Sequence, residues 1–324
     1  SVLVLSFGGP QGLADIRPFL ANVLRGRRVS PARVEEVAHH YEHFGGVSPI
    51  TELTMRQAEG LRTRLREAGH PLPVYVGMRN WHPLLPDTLR AMSEAGHRRA
   101  IGFITAAQHS YSSCEQYRQN VIDARMALRA EGRPDVEVTY VDSWFDHDLF
   151  VATNAAHVTD ALARLPDTAR PHARLVFTAH SIPVPMAEAS RYREQLSAGA
   201  ARVAERAGLQ DWALVYQSRS GRPEDPWLGP DICEYLREEQ PKGLRAVVIC
   251  PIGFVCDHVE VLWDLDQEAA EVCRNVGIEM VRAEAANADP RFIKLMADIV
   301  LRTLTRHAAG RPLPLTGARN QASI

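Results

Sequence analysis

Short, unbroken apolar and β-branched runs recur along the chain at 2–7, 74–77, 100–105, 136–141, 175–179, 213–217, 246–252 and 278–282. A strand with one wet face alternates apolar and polar residues. Runs without alternation are what strands covered on both faces require, and that is the habit of parallel sheets. Between these runs the apolar spacing becomes helical, at 56–68, 87–95, 114–131, 148–165, 186–207, 230–239, 257–276 and 290–309. Strand and helix alternating in this way predict an α/β fold with parallel sheets flanked by helices.

The eight strands divide into two sets of four, and each set opens with an apolar strand running into a tight turn, Ser6-Phe7-Gly8-Gly9-Pro10 in one and His180-Ser181-Ile182-Pro183 in the other. The expected architecture is two similar doubly wound domains around a central cleft, 1–145 and 146–310, with 311–324 as a tail and the last helix packing back on the first domain. A single eight-stranded barrel is the competing arrangement. The roughly 65 residues between the first two strands, room for more than one helix, argue against it.

Composition narrows the function classes. The net charge is -2, with no basic excess for nucleic acid and no polybasic run for an anionic membrane. No apolar stretch approaches the length of a membrane-spanning helix, and no signal-peptide pattern is visible. The five cysteines, Cys114, Cys233, Cys250, Cys256 and Cys273, contain no CxxC pair and read as free thiols of a reducing cytoplasm.

Two segments carry candidate chemistry. His180 stands just past a buried strand, where open α/β sheets bind ligands. Glu260, Asp264 and Glu268 recur every four residues, so that one α-helix would stack them on one face. Like charges so placed repel, and the arrangement suits a visiting divalent cation; imidazole plus carboxylate suits ferrous or other divalent first-row metals. Read without that visitor, the acids are a solvated face and His180 is a loop histidine. Cys256 and His258, at the helix start, are expected to point away from Glu260. Leu24-Arg25-Gly26-Arg27-Arg28 is a basic knot able to meet acidic ligand groups. Ser48 sits at a helix start that would welcome a carboxylate. Gly8, Gly9 and Gly12 make no dinucleotide fingerprint, and Trp227 reads as core.

SFGGP, YEHFGGVSPI, GMRNWHP, HSYSSCEQYR, the His-Ser-Ile-Pro turn, QSR…PWLGP and PIGFVCDHVEVLWDLDQE occur in that order from about Ser6 to Val300. Together they resemble the ferrochelatases, with the strongest likeness to actinobacterial enzymes acting on coproporphyrin III. The resemblance implies two Rossmann-like domains, ferrous iron and a porphyrin as substrates, and a metal and proton-transfer pair at His180 and Glu260. It implies porphyrin contacts at Ser48 and Tyr117, a propionate contact at Arg25, and metal guidance by Asp264 and Glu268. Where some relatives offer iron an axial tyrosine, this chain has Phe7, which can line the ring but cannot ligate. Cys114 matches one ligand of a [2Fe–2S] cluster found in some relatives. The stretch 311–324 holds no cysteine to complete the set, which leaves open whether a cluster is absent or the tail is cut or replaced.

The mechanism so implied bends the macrocycle so that its pyrrole lone pairs leave the plane, with iron arriving along Glu268, Asp264 and Glu260. His180 and Glu260 would then face each other across the ring centre, and which of them takes the protons stays open. A cytoplasmic enzyme in transient contact with the next enzyme of haem synthesis is expected. Three rivals remain: a chelatase for protoporphyrin, cobalt or a sirohydrochlorin-type ring, a haem or tetrapyrrole carrier, and a metal-dependent barrel hydrolase.

Overall fold

The computed structural model describes residues 1–26, 29–220 and 224–309; Arg27 and Arg28 of the basic knot and the tail lie outside the described residues. The strands are β1 Val2–Ser6, β2 Val74–Met78, β3 Arg99–Ile104, β4 Glu137–Tyr140, β5 Ala173–His180, β6 Trp212–Gln217, β7 Ala246–Cys250 and β8 Glu279–Arg282. Every predicted apolar run is a strand, with ends displaced by no more than two residues. The helices are α1 Ile16–Val23, α2 Pro31–His43, α3 Ile50–Glu67, α4 Leu85–Glu94, α5 Gln116–Ala130, α6 Asp148–Ala163, α7 Val184–Glu188, α8 Tyr192–Ala207, α9 Ile232–Glu239, α10 Val259–Val261, α11 Ala270–Val276 and α12 Pro290–Ala308.

Two separate four-stranded sheets form, ordered β2-β1-β3-β4 and β6-β5-β7-β8, and every strand pairing is parallel. The barrel is excluded. Both sheets wind the same way: the first strand of each set lies between the second and third, so the chain leaves it once in each direction. β1 and β5 are buried along most of their length, as runs covered on both faces must be. The largest apolar cluster spans both halves, from Phe103 and Trp144 to Phe177 and Leu196. Helix α12, the last of the described chain, packs on α3 and β3 as well as on α6.

Two local departures from the helical pattern bear on the site. The helix expected over 186–207 is broken, because the Ser190 hydroxyl bonds back to the Ala187 carbonyl (3.2 Å) and meets the Tyr192 N–H (3.4 Å), competing with helix continuation. The segments following β3 and β7 both contain π-helical stretches, Tyr111–Glu115 and Leu262–Ala269. A π turn holds more residues than an α turn, and such stretches gather at functional sites.

Candidate active site

Strand order reverses at β1 in one sheet and at β5 in the other, which opens a crevice at the carboxyl ends of β1/β3 and of β5/β7. In the second half β5 ends on His180, and the segment after β7 folds back onto it. The Gly253 N–H donates to the Thr178 carbonyl (3.0 Å). A Cβ on Gly253 would stand 2.5 Å from the Ala179 Cβ, so only glycine permits this approach. The other side of the same segment is held by the Asn287 side chain, which accepts from the Asp257 N–H and donates to its carboxylate, both at 2.8 Å. Gln57, buried on α3, donates to the Asn287 carbonyl (2.7 Å) and toward the Cys256 sulfur (3.1 Å). A helix of the first half thus fixes the loop that delivers Glu260.

His180 Nε2 lies 3.9 Å from Glu260 Oε2, and both side chains keep a third or more of their surface open. Nδ1 of His180 is 2.5 Å from the Ser181 carbonyl, which can only accept. That bond places a hydrogen on Nδ1, so Nε2 is the nitrogen that faces Glu260 and can exchange a proton. A flat ring between two groups needs van der Waals contact on each side, about 7 Å in all. The expectation that His180 and Glu260 face each other across the ring is therefore corrected: they stand side by side and can serve one face only.

His258 is a second correction. Its Nε2 is 3.6 Å from Glu260 Oε2, so it points toward the acid, and its Nδ1 is buried with no partner among the described residues. The residues before Glu260 are not yet helical: His258 has φ -151 and ψ 173, an extended backbone that turns its ring back over the first helical residues. Burial works to raise the Glu260 pKa, but the neighbouring His258, His180 and His40 imidazoles outweigh it and hold it at about 2. Asp264 is pushed the other way, to about 7. Burial is the main cause, opposed by the Ser218 hydroxyl and reinforced by the charges of Glu260 and Glu268.

The acid series is thus three different groups. Glu260 is ionised among imidazoles. Asp264 accepts from the Ser218 hydroxyl and from Gln217 Nε2 (3.2 Å), with Ser218 held at φ 60, a strained region for a serine. Glu268 is exposed and accepts from the Trp263 indole N–H (2.9 Å). The π-helical stretch spreads the expected i,i+4 stack over wider turns, yet Asp264 still feels both neighbours. Helix α2 covers this stretch: the His40 ring stacks on Trp263 at 4.0 Å, and His43 meets its edge. Neither histidine carries a sequence signal, since only the fold brings α2 there.

The first half gathers aromatic and cationic groups at the end of β1. Phe7 follows β1 and packs edge-on against Phe19. The Arg79 guanidinium lies 6.0 Å from the Phe7 ring centre and 5.9 Å from that of Tyr117, tying both aromatics to one cation. Arg79 lies within the quoted GMRNWHP motif, but its role was not legible without the rings it sits between. Ser48 reaches the same turn: a Cβ on Gly9 would meet the Ser48 side chain at 2.5 Å. Ser48 and Tyr117 are only 2% and 6% exposed, so neither is open to a ligand in this arrangement. Arg25 is exposed and donates to Asn22 (2.7 Å), which donates to the Asn80 carbonyl, while the Asn80 N–H bonds the Phe7 carbonyl. Trp227, expected in the core, is half-buried, and its indole N–H has no partner among the described residues.

Cys114 lies in the first π-helical stretch, half-buried, its thiol pKa raised by burial. It lines a cavity to which none of the other four cysteines contributes. One protonated thiol does not fit a [2Fe–2S] group, which needs several thiolates. No helix among the described residues is long and apolar enough to cross a membrane.

The coproporphyrin III ferrochelatase of Mycobacteroides abscessus is 46% identical over 96% of this chain and 89% of its own length. That of Mycolicibacterium smegmatis is 46% identical over 93% and 88%, and the ferrochelatase of Rhodopirellula baltica 47% over 93% and 85%. Among solved structures, SirB from Bacillus subtilis with Fe3+ covers 97% of this chain and 98% of its own, with TM-score 0.58 and 11% identity. DR2241 from Deinococcus radiodurans covers 92% and 54%, with TM-score 0.51 and 16% identity. At such identities these structures speak for the chelatase-like fold alone. The ferrochelatase family profile matches residues 1–304, nearly the full described span, and with relatives at this identity the chain belongs to the ferrochelatase family.

Proposed function

We propose that this ferrochelatase inserts ferrous iron into coproporphyrin III, yielding the iron porphyrin from which haem b is made. Two of the relatives above carry that substrate in their names. The observation that carries the reading is the His180–Glu260 pair, two groups of opposite aptitude 3.9 Å apart at a strand end. Insertion exchanges one Fe2+ for two pyrrole N–H protons, so the site must offer both a cation ligand and a base.

Glu260, with a pKa near 2, holds no proton at neutral pH. It is a poor base there and a good cation ligand. His180, with Nδ1–H held by the Ser181 carbonyl, turns Nε2 toward Glu260 as the nitrogen that can take up and release a proton. We assign metal delivery to Glu260 and proton acceptance to His180, both on one face of the ring. Glu268 and Asp264 lead the cation inward from the exposed end of the π-helical stretch. Phe7, Tyr117 and Arg79 form the opposite wall, with Arg79 and Arg25 facing propionates and Ser48 reached once the turn after β1 opens. Phe7 offers no axial ligand, so this wall supports the ring without holding the metal. The domain limits 1–145 and 146–310, a cytoplasmic location and passage of product to the next enzyme by transient contact belong to the same proposal. No step is assigned to Cys114.

The test is anaerobic absorbance with ferrous iron on coproporphyrin III and protoporphyrin IX in parallel. Conversion of the coproporphyrin spectrum alone is expected. Conversion of protoporphyrin alone would overturn the substrate assignment, and binding of both without conversion would favour a tetrapyrrole carrier.

A further inference from the structure

Glu268 is the exposed end of the acid series, and an exposed glutamate spreads over many rotamers. A cation taken up by such a group must first order it, which weakens capture. Here one oxygen is already held: the Trp263 indole N–H donates to Glu268 Oε1 at 2.9 Å. The two residues stand five positions apart. On an α-helix, side chains three and four apart are neighbours, and those five apart turn to different faces. A π turn bonds each residue to the fifth along, and Leu262–Ala269 is π-helical. The wider turn is what sets this indole beside this carboxylate.

The indole is itself held from the other half of the molecule. The His40 ring of α2 stacks on it with centres 4.0 Å apart and planes within 11°. The His43 ring meets its edge at 5.5 Å and 83°. One ring on the face and one at the edge fix the plane of the indole, and with it the direction of its N–H. Helix α2 is anchored on the same segment, since Ala38 and Tyr41 share a buried cluster with Val259, the residue before Glu260. A chain of contacts therefore runs from α2 through Trp263 to Glu268.

We propose that Trp263 is a positioning residue for iron entry: clamped by His40, it holds the Glu268 carboxylate ready to receive the cation. The inference rests on the reading of Glu268 and Asp264 as the cation route. Trp263 acts through Glu268, and His40 acts through Trp263. A tryptophan of merely structural worth would move stability and turnover together, whereas a positioning one moves iron capture alone.

The experiment is anaerobic insertion into saturating coproporphyrin III with ferrous iron varied, on the full chain. Trp263→Phe keeps a flat ring against His40 and removes the N–H. The apparent KM for iron is expected to rise about fivefold, with kcat, porphyrin affinity and Tm nearly unchanged. Glu268→Ala is expected to raise KM at least as much, and adding Trp263→Phe to it to change nothing further, because the partner is gone. His40→Ala frees the indole and is expected to raise KM about threefold; His40→Phe, a flat ring without imidazole nitrogens, is expected to restore it. A higher KM in Glu268→Ala without one in Trp263→Phe would overturn the proposal and leave the cation route standing. So would additive effects of those two changes, a Trp263→Phe defect confined to kcat or Tm, or no restoration by His40→Phe. An unchanged iron dependence in Glu268→Ala would overturn the route and this inference with it.

Discussion

β1 runs into Phe7, and β5, its counterpart in the second sheet, ends on His180. The parallel continues: β3 and β7 each lead into a loop and a π-helical stretch, the first followed by Tyr117, the second carrying Asp264. One topology therefore presents two unlike walls at equivalent places. The first is aromatic and cationic, suited to a flat ring with acidic edges. The second is titratable, suited to moving a cation and protons. Repetition of a fold brings no repetition of chemistry, because function resides in the side chains set at the strand ends.

That division predicts variants that separate holding the ring from filling it. Glu260→Gln keeps the shape and removes the charge; iron insertion should fall about a thousandfold while porphyrin affinity changes little. Fluorescence quenching on porphyrin titration and an anaerobic insertion assay read the two effects. Gly253→Ala drives a methyl into Ala179 and displaces the loop bearing Glu260. Turnover should fall about a hundredfold, as for an ångström-scale misplacement, again with porphyrin binding retained. Arg79→Gln acts on the other wall: porphyrin should bind about tenfold more weakly, with turnover at saturation nearly unchanged. Loss of turnover without loss of affinity there would break the division.

Asp264→Asn is the mildest. The wild-type acid, with its pKa raised to about 7, is protonated below that pH and charged above it. Iron use should therefore improve as pH rises through 7, and the variant should lose that rise, with an apparent KM for iron about tenfold higher at pH 8. Stability moves oppositely. The folded state keeps a proton between the ordinary carboxylate value of 3.8 and about 7 that the unfolded chain has lost, so stability falls as pH climbs across that window. The variant escapes this loss and should gain about 2 °C in Tm over the wild type at pH 8, and little at pH 4.

Much of this architecture was legible in the sequence because its signals are local. Unbroken apolar runs marked all eight strands, and position after a strand marked His180. What stayed hidden depends on distant contacts. The Gln57 and Asn287 contacts that fix the Cys256 and Asp257 loop join residues 199 and 230 positions apart. His40 meets Trp263 only because α2 crosses the second half's helix. The π-helical stretches carry no periodicity of their own to announce them, and the extended backbone at His258 reversed its expected direction. Arg79 entered the candidate site only through the Phe7 and Tyr117 rings on either side of it.

The most direct test of the divided site is His180→Ala, measured for porphyrin affinity and single-turnover iron insertion on the same preparation. The divided site predicts affinity within about threefold of wild type and insertion slowed at least about a hundredfold. Near wild-type insertion, or loss of porphyrin binding equal to the loss of turnover, would contradict it.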